Sequence, residues 1–169
     1  MGYVVLLHHD RLYSAQADMP GTFTIGSGKK DSLRVEGLGQ SQIVIKENRR
    51  GAVSVTGKEP APFYDDNVEK DSMIVLSSEE QLALYLTDRT GTCKETLKIP
   101  YNSTMTFGRS EKNQVVMGSP YVSGRHFTLR SEAGIIRVED SQSTNGLYLN
   151  GKQVTKARLH SGDVLSIIH

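Results

Sequence analysis

Three short clusters hold most of the chain's capacity for chemistry: Phe107-Gly108-Arg109-Ser110, Ser123-Gly124-Arg125-His126 and Ser143-Thr144-Asn145-Gly146. Each adjoins a run of strand-forming residues, so each reads as a loop. Together they offer two guanidiniums, several hydroxyls and a carboxamide. Arginine carries a permanent charge and a planar fork of donors that matches phosphate oxygens. Hydroxyls and an Asn amide add donors for phosphate or for peptide backbone. The set suits a dianionic phosphate carried on a peptide.

The elements that must position these loops read as all-β. Strand-like runs include Tyr3–Leu7, Thr22–Ile25, Ile43–Ile45, Ala52–Val55, Met73–Leu76 and Leu82–Leu86. Others follow at Thr96–Ile99, Thr104–Phe107, Gln114–Met117, Phe127–Leu129, Ile135–Val138, Leu147–Leu149 and Val164–Ile168. They are short, rich in β-branched and aromatic residues, and spaced by turn residues as in sandwiches. Asn150-Gly151 is a hairpin signal between Leu147–Leu149 and Val154. Ser78–Leu84 could form one helical turn, but its apolar residues continue into a strand.

The order Gly108-Arg109, then Ser123-x-x-His126, then Asn145-Gly146 resembles the forkhead-associated (FHA) family. Asn-Gly alone is ordinary turn chemistry; the three pieces in order are specific. The resemblance spans residues 83–169 and implies an eleven-stranded β-sandwich whose loops bind phosphothreonine peptides. It implies phosphate contact for Arg109 and Ser123, the latter through its hydroxyl and its backbone amide. Arg125 is a second charged donor or a rim residue, and Thr144 contacts phosphate or caps the turn. Asn145 matches the position that grips the peptide main chain. His126 buttresses the loop, and Gly108 and Gly146 serve backbone geometry.

An internal repeat runs through the chain. Thr22-Phe23-Thr24-Ile25-Gly26 aligns with Thr104-Met105-Thr106-Phe107-Gly108, Lys30-Asp31-Ser32-Leu33 with Lys112-Asn113-Gln114-Val115, and Ser41 with Ser123. The expected organisation is a degenerate FHA-like copy at residues 1–80 and an intact one at 83–169. At the same offset Ser27 replaces Arg109, Ile43 and Val44 replace Arg125 and His126, and Ala61-Pro62-Phe63-Tyr64 faces Ser143–Gly146. An apolar pair cannot donate charged hydrogen bonds, so the first copy is expected not to bind phosphate. Lys29-Lys30 and Arg49-Arg50 read as solvated turns.

Two such copies, the first degenerate, resemble the cytosolic N-terminal region of EssC-type ATPases, the FtsK/SpoIIIE-type membrane ATPases of type VII secretion. That resemblance implies a longer, membrane-anchored, ATP-binding parent and a segment at the cytoplasmic face. The expected partner is a phosphothreonine-containing protein or a secretion-system component. The alternative is a phosphate-independent docking scaffold.

Other classes fare poorly. The formal net charge is +1, so no global field draws nucleic acid or membrane. No basic stripe with aromatic platforms is present. The single Cys93 excludes an intrachain disulfide, fits a reducing compartment and reads as an inert thiol. No apolar run approaches the ~20 residues of a membrane helix, and Tyr3–Leu7 is too short for a signal-peptide core. Ser123 and His126 lack an acid partner and a nucleophile elbow, and Gly26-Ser27-Gly28-Lys29 lacks the full phosphate-loop pattern. Adjacent His8 and His9 on one strand would point to opposite faces and could not share a metal. No catalytic residue, metal or cofactor is expected.

Overall fold

The computed structural model describes residues 2–9, 11–87, 96–98, 104–132 and 135–167. Cys93 and the ends of the expected strands at Ile99 and Ile168 lie outside them. The described residues form eighteen strands and no helix. In the first half these are β1 (Gly2–His8), β2 (Arg11–Ala17), β3 (Gly21–Gly26), β4 (Leu33–Arg34), β5 (Ile43–Glu47), β6 (Val53–Gly57), β7 (Phe63–Asp65) and β8 (Ser72–Ser77). The second half holds β9 (Leu82–Thr87), β10 (Thr96–Lys98), β11 (Thr104–Gly108), β12 (Val115–Val116), β13 (Phe127–Glu132) and β14 (Ile135–Asp140). It ends with β15 (Tyr148–Leu149), β16 (Lys152–Gln153), β17 (Lys156–Leu159) and β18 (Val164–Ser166). Strand β2 and the short strands β4, β7, β16 and β17 have no counterpart among the expected runs. Asn150 and Gly151 turn the chain with φ of 52° and 86°, pairing Tyr148 with Gln153 as the hairpin signal requires.

Two five-stranded sheets share one connectivity, β4-β3-β5-β6-β7 and β12-β11-β13-β14-β17, each with one parallel pair at the same end. Between them lies an eight-stranded sheet, ordered β10-β2-β1-β9-β8-β18-β15-β16. Strands β1, β8 and β9 of this middle sheet are buried on both faces. Val4, Leu6, Ile74, Leu76, Leu82, Leu84 and Leu86 pack against Phe23, Ile25, Ile43, Ile45 and Val55 of the first outer sheet. Val5, Leu7, Met73, Val75, Ala83 and Tyr85 pack against Met105, Phe107, Phe127, Leu129 and Val138 of the second.

This double burial explains the sequence of the three strands. A strand with one wet face alternates polar and apolar residues, whereas Val4-Val5-Leu6-Leu7, Met73-Ile74-Val75-Leu76 and Leu82-Ala83-Leu84-Tyr85-Leu86 are continuous apolar runs. The division read at residues 80–83 falls in the turn between β8 and β9, two paired neighbours of the shared sheet. Strand β18, from the far end of the chain, pairs with β8 through Leu165↔Met73.

Candidate functional site

At the end of β11 the chain must turn through Gly108, and the space beside it is already filled. A Cβ there would collide with the Gly124 carbonyl oxygen and lie 2.8 Å from Arg125 Cα. The loop after β11 is thus pressed onto the loop before β13. The Arg109 amide donates to the Ser123 carbonyl (3.0 Å) and the Ser110 amide to the Gly124 carbonyl (3.0 Å). Asn113, which the motif reading did not single out, clamps both loops through Nδ2, at 2.8 Å from the Ser110 carbonyl and 2.6 Å from that of Gly124.

His126 closes the arrangement from below. It is fully buried, and Phe127 beside it stacks on Phe107 with centroids 4.5 Å apart. The Ser123 amide donates to Nδ1 (3.1 Å), so the proton sits on Nε2, which donates to the Gly146 carbonyl (2.6 Å). One imidazole therefore ties the second loop to the third. The Ser123 amide, expected to face phosphate, is instead spent on His126. The Ser123 hydroxyl accepts from the Thr144 amide (3.0 Å) and keeps its own hydrogen for an outside acceptor.

The third loop is braced in the same way. Ser143 accepts from the Gly146 amide (3.1 Å), and Gly146 adopts φ of 88°, a left-handed conformation open to glycine. Asn145 Nδ2 donates to the Tyr121 carbonyl (2.7 Å), leaving its Oδ1 and second amide hydrogen for a ligand. Arg109, Arg125, Thr144 and Asn145 are exposed, and the Tyr121 ring, also absent from the motif reading, is 57% exposed beside them. Arg109 Nη1 reaches the Pro120 carbonyl at 3.3 Å, which restrains the guanidinium over the loops. The structure brings together every residue assigned to the site from sequence.

The corresponding end of the first half is built on the same plan with different chemistry. Ile25 pairs with Ile43, eighteen residues on, whereas Phe107 pairs with Phe127, twenty residues on. The constant offset of the repeat therefore fails inside this loop. Gln42, not Val44, stands where His126 does: it is buried, its Oε1 accepts from the Gly39 amide (2.7 Å), and its Nε2 donates to the carbonyls of Lys58 (2.8 Å) and Glu59 (3.1 Å). Ile43 and Val44 belong to β5, with Ile43 in the core.

Asp31, at the place of Asn113, fills this end with a carboxylate. It accepts from the amides of Gly28 (2.7 Å) and Ser41 (3.0 Å) and from the Ser41 hydroxyl (2.8 Å). Desolvation works against its charge, but the hydrogen bonds from Ser41, Gly28 and Thr24 outweigh it and hold the carboxyl below its ordinary value. Because the folded value is depressed, the stabilisation is complete above the unfolded value of 3.8 and is lost as pH falls through the lower folded value. Asp31→Asn is thus expected to melt below the wild type at neutral pH, and the gap should close as both are acidified past 3.8. A gap that stays constant through that range would mean the charge of Asp31 does not hold these loops.

His8 and His9 do not alternate as a strand would place them. β1 ends at His8, and His9 turns with φ of 54°, so the ring centroids meet at 4.3 Å. With Glu80 they form a group whose ligand atoms lie within 4.8 Å of one another. Arg11 and Arg34 line the same cleft and oppose a cation there.

The sequence profile of the FHA domain matches residues 105–168. Residues 105–168 form an FHA domain. Over 60 residues, 36% of this chain and 7% of the relative, the protein is 38% identical to the ABC transporter ATP-binding/permease protein Rv1747 of Mycobacterium tuberculosis. It is 34% identical over 83 residues to the probable serine/threonine-protein kinase fhkA of Dictyostelium discoideum, covering 42% of this chain and 14% of the kinase. The chain thus spans a small part of either relative. The solved FHA-2 domain of the Mycobacterium tuberculosis transporter Rv1747 is 32% identical, with a TM-score of 0.35 over 46% of this chain and 69% of that domain. No described helix is long and apolar enough to cross a membrane.

Proposed function

We propose that the FHA domain recognises a phosphothreonine-bearing peptide or protein and performs no catalysis itself. The observation that carries this reading is the exposed end where Arg109, Arg125 and the Ser123 hydroxyl have no carboxylate partner among the described residues, while the equivalent end of the first half is occupied by Asp31. Arg109 and Arg125 supply permanent charge to the phosphate, Ser123 and Thr144 supply hydroxyls, and Asn145 takes the peptide main chain. Phosphorylation adds roughly −1.5 to −2 charge and three acceptor oxygens, a good match for that donor set. Tyr121 offers an aromatic wall for a residue flanking the phosphothreonine.

The first half, residues 1–80 in this reading, is an FHA-like copy that packs and docks without phosphate. The longer protein is a membrane ATPase of type VII secretion of the EssC type, with this segment at its cytoplasmic face. Phosphate-independent docking inside the secretion assembly is the second reading, favoured by Tyr64, 71% exposed on the edge strand β7 of the first half.

A phosphothreonine peptide titrated beside its unphosphorylated twin separates the two. Arg109→Ala removes one charge-assisted hydrogen bond, about 1.5–3 kcal/mol, or roughly ten- to hundred-fold in affinity. Calorimetry should give one site per chain. Equal affinity for both peptides would retire the phosphate reading and leave docking.

A further inference from the structure

The cleft that holds His8 and His9 is lined by two arginines from different layers of the fold, Arg11 and Arg34. Its volume is about 530 Å³, within the ~300–1,000 Å³ of small-molecule sites. Cross-strand register sets one wall: Arg11 stands opposite His8, and Tyr13 opposite Leu6. Leu6 belongs to the core shared with the first outer sheet. Directly paired residues share a face, so Arg11 and Tyr13 look toward that sheet from the middle one. The other wall is the end strand β4 with Arg34, followed by Glu36 and Gly37. Gly37 has φ of 90°, and a Cβ there would lie 3.4 Å from His8 Cε1, so this loop is seated against the buried His8.

Stacked sheets lie about 10 Å apart, a gap that two arginine side chains reaching from opposite walls can close on one small anion. Among the described residues neither Arg11 nor Arg34 has a carboxylate partner, Glu36 at the cleft border included. Glu80 lies 3.8 Å from His9 Nε2. The second half is an internal control. Gly26 pairs with Arg34 and Gly108 with Val116, so a valine fills the register position of Arg34 there. A charge on an end strand guards against strand pairing, which would account for Arg34. It does not account for a second guanidinium brought to the same cleft, where like charges repel.

We propose that this cleft is a binding site for a small molecule carrying two linked phosphate groups, such as a nucleoside diphosphate. Each guanidinium offers a planar fork of donors to phosphate oxygens. Two forks on opposite walls suit two linked phosphates better than one. The space beside them is bordered by the Tyr13 and His9 rings, which offer aromatic faces to an organic part of the ligand. Glu36 opposes the ligand's charge and holds its affinity below what the two arginines alone would give. A ligand here would bridge the middle sheet and the first outer sheet and so stabilise the folded chain. Asp31 does not line the cleft, and the site depends neither on the loop end that Asp31 fills nor on phosphothreonine recognition at the Arg109 loops.

The test is calorimetric titration of the whole chain with inorganic pyrophosphate, ADP, adenosine and citrate in turn, in magnesium-free buffer at low salt. Pyrophosphate should bind, ADP should bind at least as tightly, and adenosine should not bind. Citrate, a polycarboxylate, should bind more weakly than either diphosphate. The melting temperature should rise with ADP concentration. Arg11→Gln and Arg34→Val, the latter taking the residue of the second half, should each weaken ADP binding at least about tenfold. Both should melt as the wild type does without ligand. Glu36→Gln should strengthen ADP binding, a gain that a damaged fold cannot produce. The proposal would be overturned by no binding of pyrophosphate, by ADP binding more weakly than pyrophosphate, or by citrate binding equally well. It would also be overturned by undiminished binding in the folded arginine variants, or by a loss on Arg109→Ala in place of Arg11→Gln.

Discussion

Residues 83–169 made alone should fail to fold. Their core is not their own. Val5, Leu7, Leu12, Met73 and Val75 are five of the twenty buried residues packed with Phe107, Phe127 and Leu129. Full burial of such side chains stabilises by about 1.5–3 kcal/mol each, so their loss removes on the order of 10 kcal/mol, comparable to the ~5–15 kcal/mol net stability of a domain. Strand β18 also loses its neighbour β8, leaving Leu165 and Ser166 paired with β15 alone and Val164 without its antiparallel partner. Circular dichroism and an amide spectrum of the shortened chain, beside the whole one, are the measurements. A sharp melt with dispersed amide signals would show that the second half closes its own core.

His126→Ala is expected to be the most damaging single substitution at the site, and to damage folding and binding together. It strands the Ser123 amide and the Gly146 carbonyl beneath the loops. Each buried group left unsatisfied costs about 1–3 kcal/mol. Together they amount to roughly 2–6 kcal/mol, or a fall in melting temperature of about 4–24 °C for a chain of this size. His126→Gln should recover most of that loss, because Gln42 already performs the same two-sided bridging in the first half. An Ala variant that melts with the wild type yet loses phosphopeptide would place His126 at the ligand. A Gln variant as unstable as Ala would show that the two loop ends are not equivalent.

The long strands and the loop motifs were legible because their signals are local. Alternating or continuous apolar runs mark β1, β3, β8, β9 and β11, and three motifs in order mark the loops. The strands that escaped reading lack such signals. Arg11–Ala17 buries little beyond Leu12 and Ala17, and Lys156–Leu159 buries Leu159 alone, with Lys and Arg turned to solvent at a sheet edge. The continuous runs in three strands did hold the news of a shared middle sheet, since one buried face would have left them alternating.

At the first half's loop end the misreading had one cause. A repeat compared at constant spacing cannot follow a loop two residues shorter, so Gln42 was hidden behind Val44. Its own signal was present: a polar residue directly before an apolar strand, as in Gln42-Ile43 and His126-Phe127. Asp31 was visible beside Asn113, but only folding shows that its carboxylate meets Ser41 and Gly28.

The middle sheet also determines what a partner meets. Two modules joined by a flexible tether sample many separations, and the second contact is governed by tether length. Here β1, β8 and β9 belong to both cores at once, so no tether intervenes. A ligand long enough to touch Tyr64 on one outer sheet and the Arg109 loops on the other meets a single preset spacing and angle. The molecule would act as a gauge, accepting partners whose two contact points match that spacing and giving no avidity to those that do not.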